Sequence, residues 1–266
     1  MSGAAGRMGR AIIALSARED SPVGEMRLAG ALEGRGHPLL SKDAGETAGA
    51  ANLGVPILAD AGEAFSGAKA VIDFSTPEAC LNTARACREM RLPLVVGSTG
   101  LNESEREELL DVARDIPLLW APNMSVGVNL LFYLVAQAAE ILGSGYDVEV
   151  VEAHHRFKKD APSGTAVRLK EILLETLQRE EDNVIYGRKG ADVPRRPNEI
   201  GVHTIRGGDT VGEHTAYFFT DGERIELTHR ASSRDTFAQG ALRAALFLTR
   251  VSGPGLYHMK DVLNLK

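Results

Sequence analysis

GAAGRMG, residues 3–9, is the stretch that decides the fold of the first part of the chain. Its three glycines are spaced as G-x-x-G-x-x-G and lead directly into a helical segment, residues 10–17. Glycines let a backbone approach a pyrophosphate closely, and the N-terminus of a helix stabilises the phosphate charge. A plain turn can carry the same glycines, so the loop indicates a nucleotide site only together with a second feature.

That second feature is Glu33, which follows the strand-like segment MRLAGAL (26–32). A carboxylate at the end of the second strand of a nucleotide-binding domain accepts hydrogen bonds from the adenosine ribose. The loop and the carboxylate together predict a dinucleotide site. The first strand of such a domain is absent, because Met1 stands where that strand should be ending. We expect a mis-called or truncated start, with several residues missing upstream.

Strands and helices alternate after Glu33. Strand-like segments at 70–74, 93–98 and 117–121 are separated by helix-like segments at 77–90 and 102–115. Short apolar strands alternating with helices are typical of a parallel sheet that is covered on both faces.

The pattern changes after residue 124. A largely buried helix (125–143), a strand (146–153) and a helix with apolar residues at helical spacing (163–180) precede three strand-like runs with short turns, which predict a mostly antiparallel meander. A last apolar helix covers 236–251. The predicted fold class is α/β: a Rossmann-like dinucleotide-binding domain from residues 1–124 and 235–266, its first strand missing, with an inserted α+β domain from residues 125–234.

Composition excludes several classes of protein. The 266 residues carry 30 Lys and Arg against 36 Asp and Glu, a formal net charge of -6, which argues against broad nucleic-acid binding. Cys80 and Cys87 are the only cysteines, and we interpret them as reduced core thiols of a cytoplasmic protein. No apolar run suggests a membrane span. His203, His214 and His229 lack metal-ligand spacing, so we expect no metal site and structural or interfacial roles for these histidines.

EAHHRFKKDAPSGTA, residues 152–166, concentrates positive charge in this acidic protein. Five of the six residues from His154 to Lys159 can carry a positive charge, and the run leads into Ser163-Gly164-Thr165, residues of the kind that open a helix. Imidazoles, ammonium groups and a helix N-terminus suit a small polycarboxylate that must be held and protonated. The segment therefore predicts an active site.

Six segments together resemble the dihydrodipicolinate reductase family: GAAGRMGR, VIDFSTPE, VVGSTG, APNMSVGVN, EAHHRFKKDAPSGTA and the region from RGGDTVGEHTAYF to SSRDTFAQGA. The resemblance covers nearly the whole chain. It implies reduction of 4-hydroxy-tetrahydrodipicolinate with NADH and/or NADPH, in diaminopimelate and lysine synthesis. It also implies a homotetramer that is assembled through the inserted domain.

The resemblance also implies residue roles. The cofactor pyrophosphate would contact Gly3, Ala4, Ala5, Gly6, Arg7 and Met8, and its adenosine ribose Glu33. The nicotinamide side would be lined by Gly97, Ser98, Thr99, Ala121, Pro122, Asn123 and Met124. His154 matches the family's proton donor and acceptor, and Lys158 its second proton donor. The substrate contacts would be His155, Gly164 and Thr165.

Several alternatives stay open. Gly34 stands where members that use the phosphorylated cofactor often carry Arg, and Arg35 lies one residue further on, so we expect NADH to be preferred and NADPH tolerated. His155 could instead orient its neighbours, and Arg156 and Lys159 could merely balance acidic groups. The chain could also be another imino- or amino-acid dehydrogenase, or a dinucleotide-binding protein without catalytic activity.

Overall fold

The computed structural model describes residues 1–18, 20 and 26–265, and these form two compact units. The first unit comprises the chain up to Val126 and from Asp235 onward, and the second comprises Gly127–Arg234.

The helices and strands follow one another along the chain in this order. The first unit contributes α1 (Arg7–Ser16), β1 (Ala31–Leu32), α2 (Ala44–Thr47), β2 (Ile57–Leu58), α3 (Ala61–Ala64), β3 (Val71–Asp73), α4 (Pro77–Met90), β4 (Leu94–Val96), α5 (Glu103–Val112) and β5 (Pro117–Trp120). Next come α6 (Val126–Leu142), β6 (Asp147–His154), α7 (Gly164–Leu177), β7 (Val184–Ile185), β8 (Ile200–Arg206), β9 (Gly212–Thr220) and β10 (Glu223–Ala231). The chain then returns to the first unit with α8 (Asp235–Leu248), β11 (Gly255–Tyr257) and α9 (Met259–Val262).

All strand pairs of the first unit are parallel, as the alternation of strands and helices predicts. One sheet has the order β11-β5-β4-β3, and β1 pairs separately with β2. Among the described residues of this unit, five elements were not expected from the sequence: the short helices α2, α3 and α9, and the short strands β2 and β11. Each covers only two to four residues, too few for a periodic apolar pattern.

Ser2 lies between β1 and β3 and forms parallel bridges to Leu32 and Asp73. Its N–H donates to the Ile72 carbonyl at 2.9 Å, and the Met1 carbonyl accepts the Leu32 N–H at 2.8 Å. These two residues hold the position at which a doubly wound sheet has its central strand.

A cavity of about 600 Å³ lies beside Met1 and is lined in part by Leu28, Gly30, Ala70 and Leu242. The predicted strand 26–32 is accordingly reduced to Ala31–Leu32, because residues 26–30 face this cavity with no neighbouring strand to pair with.

Local sequence signals account for the long helices of the first unit. Helix α4 begins after Thr76, whose side chain accepts the Ala79 N–H, and has Pro77 in its first turn, where proline is favoured. Cys80 and Cys87 are free, buried thiols on its inner face, which confirms their prediction as reduced core residues. Burial raises the pKa of the Cys87 thiol to about 12, so it stays protonated.

The second unit is built on a mixed sheet with the order β10-β9-β6-β8-β7. Strands β9 and β10 form the predicted antiparallel hairpin, but the predicted pairing of β8 in an antiparallel meander is wrong. β8 runs parallel to β6, and β6 separates it from β9. The apolar pattern of a strand reveals its faces but not its neighbour, because any strand with the same alternation can pair at that edge.

Helices α6 and α7 cover one face of this sheet. Leu131, Val135 and Ala139 of α6 and Leu169 and Leu173 of α7 pack in a single apolar core. That core also contains strand residues from the central three strands of the sheet, which are Val148, Val150, Ile200, Val202, Ala216 and Phe218. The face of β6 that carries Val148 and Val150 continues into Glu152 and His154, so the strand leads out of the core into a polar cluster.

The stretch Val126–Gly145, which contains α6, is long and apolar enough to cross a membrane by length and composition. This differs from the expectation of no such run. A mostly buried core helix of a soluble protein passes the same test, but only four residues of α6 are buried, which are Val128, Leu131, Val135 and Ala139. The prediction of a largely buried helix is therefore wrong.

Candidate active site

The glycine loop lies at the N-terminus of α1 and depends on the absence of side chains at two glycines. Gly3 has a φ of +72°, and a Cβ there would lie 2.4 Å from the Phe74 carbonyl oxygen. A Cβ on Gly9 would lie 2.1 Å from the Gly3 carbonyl oxygen. Both contacts are too close for any side chain, so these glycines hold the loop tightly against β3 and the first turn of α1.

Glu33 contacts this loop directly. Its Oε1 accepts the Ala5 N–H at 2.8 Å, and its Oε2 accepts the Gly34 N–H at 3.1 Å. The Gly3 and Ala4 N–H groups both donate to the carbonyl of Leu32, the last residue of β1. These hydrogen bonds hold the loop next to Glu33, which follows Leu32. The structure therefore brings together the two features that the sequence paired as a dinucleotide site.

The segments that follow β4 and β5 lie at the same edge of the sheet as the glycine loop, since the carboxyl ends of parallel strands share an edge. A Cβ on Gly97 would lie 2.2 Å from the Phe74 ring, and Ser98 is buried. Met124 is buried against α8, where a Cβ on Gly240 would lie 1.7 Å from the Met124 carbonyl oxygen. Of the predicted nicotinamide-side residues, Gly97, Ser98 and Met124 are thus closely packed.

Asp73 connects the segments that follow β3 and β4 by hydrogen bonds, and sequence reasoning missed it. It is fully buried at the end of β3, and Oδ1 accepts the Ser98 hydroxyl at 2.5 Å and the Ser75 N–H at 3.2 Å. The Ser75 hydroxyl donates to both carboxylate oxygens at 2.9 Å. An acidic residue at the end of the apolar run VID was the available signal, because such a group is rarely buried without partners.

Glu152, near the end of β6, is the central group of the second unit. It is fully buried. Its carboxylate accepts hydrogen bonds from both terminal nitrogens of Arg206 at 2.8 Å, from the Ser163 N–H at 3.0 Å and from the His154 ring at 2.6 Å. Burial raises the pKa of this carboxyl, but the hydrogen bonds from Arg206 and His154 outweigh it and hold the pKa at about 2. Glu152 is therefore ionised at neutral pH.

His154 is the last residue of β6 and binds Glu152 through Nδ1. Burial lowers the pKa of its imidazole below the usual value, and the hydrogen bond and charge of Glu152 partly oppose that shift. The ring is only 9% exposed. A partly desolvated histidine oriented by a carboxylate is suited to proton transfer.

His214 joins this cluster from β9, where it pairs with Glu152 across the strands. Its ring centroid lies 5.1 Å from that of His154 in an edge arrangement, and its Nε2 lies 2.9 Å from the Ser163 hydroxyl. Burial, aided by the nearby His154 charge, lowers its pKa to about 3, so the ring is neutral near pH 7. The sequence assigned His214 a structural or interfacial role and could not place it beside His154, because strand register is not encoded locally.

Lys158 lies in the loop between β6 and α7. Its ammonium group forms an ion pair with Asp160 at 2.9 Å, and its backbone N–H donates to the His155 carbonyl. The hydrogen bond from Lys158 lowers the pKa of Asp160. The His155 N–H donates to the Thr210 carbonyl at 2.7 Å, and its Nδ1 accepts the Phe157 N–H. These contacts hold the loop against the β8–β9 connection.

Helix α7 begins beside His154. Ser163 is its N-cap residue, and its hydroxyl accepts the Ala166 N–H at 3.3 Å. Gly164 and Thr165 form the first turn, and a Cβ on Gly164 would meet no atom within 4 Å. The start of the helix is therefore open, and its partial positive charge favours an anion there.

The remaining predicted residues lie apart from this cluster. His203 contacts Glu149 at 2.6 Å, and Glu149 lies on the opposite face of β6 from Glu152. Arg156 and Lys159 are exposed. Over residues 1–18, 20 and 26–265, no group of three or more His, Cys, Asp or Glu side chains is arranged to hold a metal ion.

Comparison with known families matches both parts of the chain. The model for the N-terminus of dihydrodipicolinate reductase matches residues 1–124, and the model for its C-terminus matches residues 127–263.

Curated relatives match over their full length. A protein from Anaeromyxobacter dehalogenans (strain 2CP-1 / ATCC BAA-258) is 49% identical, with 100% of this chain and 97% of the relative covered. A second protein, from Syntrophotalea carbinolica, is 50% identical, with 100% and 98% covered. Both are named 4-hydroxy-tetrahydrodipicolinate reductase.

Solved structures share the fold. A dipicolinate-bound dihydrodipicolinate reductase from Paenisporosarcina sp. TG-14 superposes with a TM-score of 0.76 at 20% identity, with 98% of this chain and 96% of that chain covered. An amine dehydrogenase from Mycobacterium smegmatis superposes with a TM-score of 0.57 at 11% identity, with 96% and 92% covered. At these identities the likeness concerns the fold alone.

Proposed function

This chain belongs to the dihydrodipicolinate reductase family, and we propose on that premise how its residues reduce 4-hydroxy-tetrahydrodipicolinate to tetrahydrodipicolinate. The family resemblance expected from the sequence is confirmed over the whole chain. The protein is accordingly an NAD(P)H-dependent oxidoreductase of diaminopimelate and lysine synthesis.

The observation that carries the residue assignment is the contact of His154 with the buried, ionised Glu152. The substrate carries a 4-hydroxyl group that the product lacks, so one water must leave to give a conjugated ring. A bound nicotinamide would supply a hydride to that ring, which adds two electrons and would leave the cofactor oxidised. The resulting enamine takes up one proton, which His154 donates. A positioned histidine of this kind contributes about 10²–10⁴-fold to a rate.

The open start of α7 and the Lys158 ammonium group form the proposed carboxylate site. Gly164 and Thr165 lie in the first turn of the helix, and His155 lies in the same loop as Lys158. Charge-assisted hydrogen bonds contribute about 1.5–3 kcal/mol each. Because Asp160 is paired with Lys158, substrate binding must compete with that ion pair or share the ammonium group with it.

The first unit fits a dinucleotide. Gly3, Gly6 and Gly9 keep the loop free of side chains at the N-terminus of α1, and Glu33 lies at hydrogen-bond distance from the loop. We assign pyrophosphate contacts to Gly3–Met8, ribose contacts to Glu33, and the nicotinamide side to 97–99 and 121–124. Glu33 repels a 2′-phosphate, while Arg35 is close enough in sequence to pair with one, so NADH is the preferred cofactor and NADPH a tolerated one.

We also propose a homotetramer in the cytoplasm, assembled through the second unit. The large apolar side chains that are exposed in that unit include Leu130 and Leu134 of α6, Ile205 of β8 and Ile225 of β10. Exposed apolar groups of this size favour association. Native mass spectrometry tests the proposal: a tetramer is expected, and a monomer at micromolar concentration contradicts it.

A coupled assay tests the reaction. The substrate is generated from pyruvate and aspartate semialdehyde by the preceding condensing enzyme, and oxidation of NADH and NADPH is followed separately. Consumption of cofactor that depends on both precursors supports the proposal. Activity on another keto or imino acid but not on this substrate would favour a different dehydrogenase, and cofactor binding without any turnover would favour a non-catalytic protein.

A further inference from the structure

We propose that Glu152 is a positioning residue that holds His154 in one tautomer, with the proton on Nδ1 and Nε2 as the atom that exchanges a proton with substrate. Its kinetic consequences rest on the function proposed above, but the tautomer itself does not.

The first step of the argument is the protonation state of the pair. Glu152 Oε2 lies 2.6 Å from His154 Nδ1, with the carboxyl fully buried. An ionised carboxylate can only accept hydrogen bonds, so Nδ1 must be the donor. In the neutral imidazole Nε2 is then left without a proton, and in the imidazolium Nε2 carries the proton that can leave.

The second step is that Glu152 cannot turn away from His154. Arg206 binds both of its oxygens, and the Ser163 N–H and the Thr204 hydroxyl bind Oε1 at 3.0 and 3.2 Å. Arg206 also donates to the Asp160 carbonyl at 2.6 Å. One carboxylate therefore anchors the histidine, the start of α7 and, through Arg206, the loop that carries Lys158.

The third step concerns the other side of the ring. Gly212 of β9 faces it, and a Cβ there would lie 3.0 Å from His154 Nε2. Glycine at this position leaves Nε2 uncrowded. The charged and titratable groups around the ring in the second unit are Glu152, Arg206, Lys158 and His214. His214 is held to the Ser163 hydroxyl through its own Nε2, so it does not take the place of Glu152.

If the role of Glu152 is purely structural, a different result is expected. If Glu152 served only as the buried partner of Arg206 between β6 and β8, its replacement would change stability but not the tautomer of His154. The two roles are separated by Glu152→Gln. Within the described part of the chain, three donors contact Oε1, whereas only Arg206 and His154 contact Oε2. The glutamine NH₂ group would therefore take the Oε2 side and donate to Nδ1. The proton on His154 would then move to Nε2.

The experiment is nitrogen NMR of the histidine side chains in the full-length protein without substrate, at a pH where His154 is neutral. We expect Nδ1–H in the unmodified protein and Nε2–H in Glu152→Gln. An Nε2–H tautomer in the unmodified protein overturns the proposal, even if the variant does not fold. An unchanged tautomer in a folded Glu152→Gln protein also overturns it.

Kinetics supply a second readout. Glu152→Gln is expected to lower kcat about 10²-fold or more, with a KM for substrate within about threefold, since Glu152 acts through His154. Thr204→Val is the matched control, because it removes one hydrogen bond to Oε1 and leaves the contact with His154 in place. Its tautomer and kcat should match the unmodified protein, and a loss in kcat equal to that of Glu152→Gln counts against the proposal. Absence of turnover in every form would instead contradict the proposed function and leave the NMR result valid.

Discussion

At the scale of single residues, the groups proposed for proton transfer and carboxylate binding share one segment with basic residues that have neither role. His154 is buried and bound to Glu152, whereas Arg156, two residues further on, is exposed. Lys158 is 21% exposed and ion-paired, whereas Lys159 is exposed. These pairs provide matched substitutions within one loop.

Replacing His154 by Ala is expected to lower kcat by about 10²-fold or more, because the proton donor is removed while the carboxylate site remains. Steady-state kinetics in the coupled assay measure kcat. Arg156→Gln is the control and should retain kcat. Turnover of His154→Ala within a factor of about three of the unmodified enzyme would refute the role.

Lys158→Ala is expected to lower kcat and also to raise KM, because its ammonium group both binds a carboxylate and stabilises negative charge that develops during hydride transfer. The same assay measures both constants. Lys159→Ala removes an equal charge from the same loop and should change neither. Similar constants for the two variants would mean that only the net charge of the loop matters.

At the scale of elements, the N-cap residues separate stability from activity. Ser163→Ala removes the cap of α7 and the contact with His214, and Asn102→Ala removes the capping box of α5. Each is expected to lower the free energy of unfolding by about 1 kcal/mol. Only Ser163→Ala should also raise KM, because α7 begins at the proposed carboxylate site. Denaturant titrations and kinetics on both proteins test this, and an equal effect on KM contradicts it.

His214, which the pairing of β6 with β9 buries beside Glu152, makes the free energy of unfolding depend on pH. The pKa of His214 is about 3 in the folded chain and near 6.5 when unfolded, so between these values the unfolded state binds a proton that the folded state does not. Stability is therefore lost as pH falls from about 6.5 towards about 3, at up to about 1.4 kcal/mol per pH unit. His214→Gln should flatten this slope in urea titrations, and an unchanged slope would show that His214 is not the group responsible.

At the scale of the whole molecule, a cavity of about 600 Å³ lies beside Met1. The Met1 ammonium group is buried against the Gly30 carbonyl, and burial lowers its pKa from 8.0 to about 6. Between these two values the unfolded state binds the extra proton, so this group makes the protein less stable as pH falls from 8 to 6.

Adding an apolar, β-branched pentapeptide before Met1 is expected to fill the cavity and pair with both neighbouring strands. Each apolar side chain that becomes buried stabilises the fold by about 1.5–3 kcal/mol. The extension also removes the buried ammonium group, so the stability change between pH 6 and 8 should shrink. A Gly-Ser pentapeptide of the same length is the control for thermal and chemical unfolding. Equal stability of the two extended proteins would show that the cavity does not accept a strand.

Much of the fold follows from local sequence. Helix α4 covers the predicted residues 77–90, and α5 is capped by Asn102, the first residue of the predicted segment 102–115, although it ends at Val112. The glycine loop and the HHxxK segment were found for the same reason: their residues are close in sequence, and their chemistry depends on that spacing.

Contacts between distant residues were decided by the tertiary structure alone. The sequence placed β8 in an antiparallel meander, but β8 runs beside β6, and this register sets Arg206 opposite His154. The register of β9 likewise sets His214 opposite Glu152. Sequence by itself determined the alternation of elements, the glycine loop and the HHxxK segment, because these depend on local spacing. Only the folded sheet decided which carboxylate, arginine and second histidine surround His154, because strand partners are chosen by packing of the whole unit rather than by any one segment.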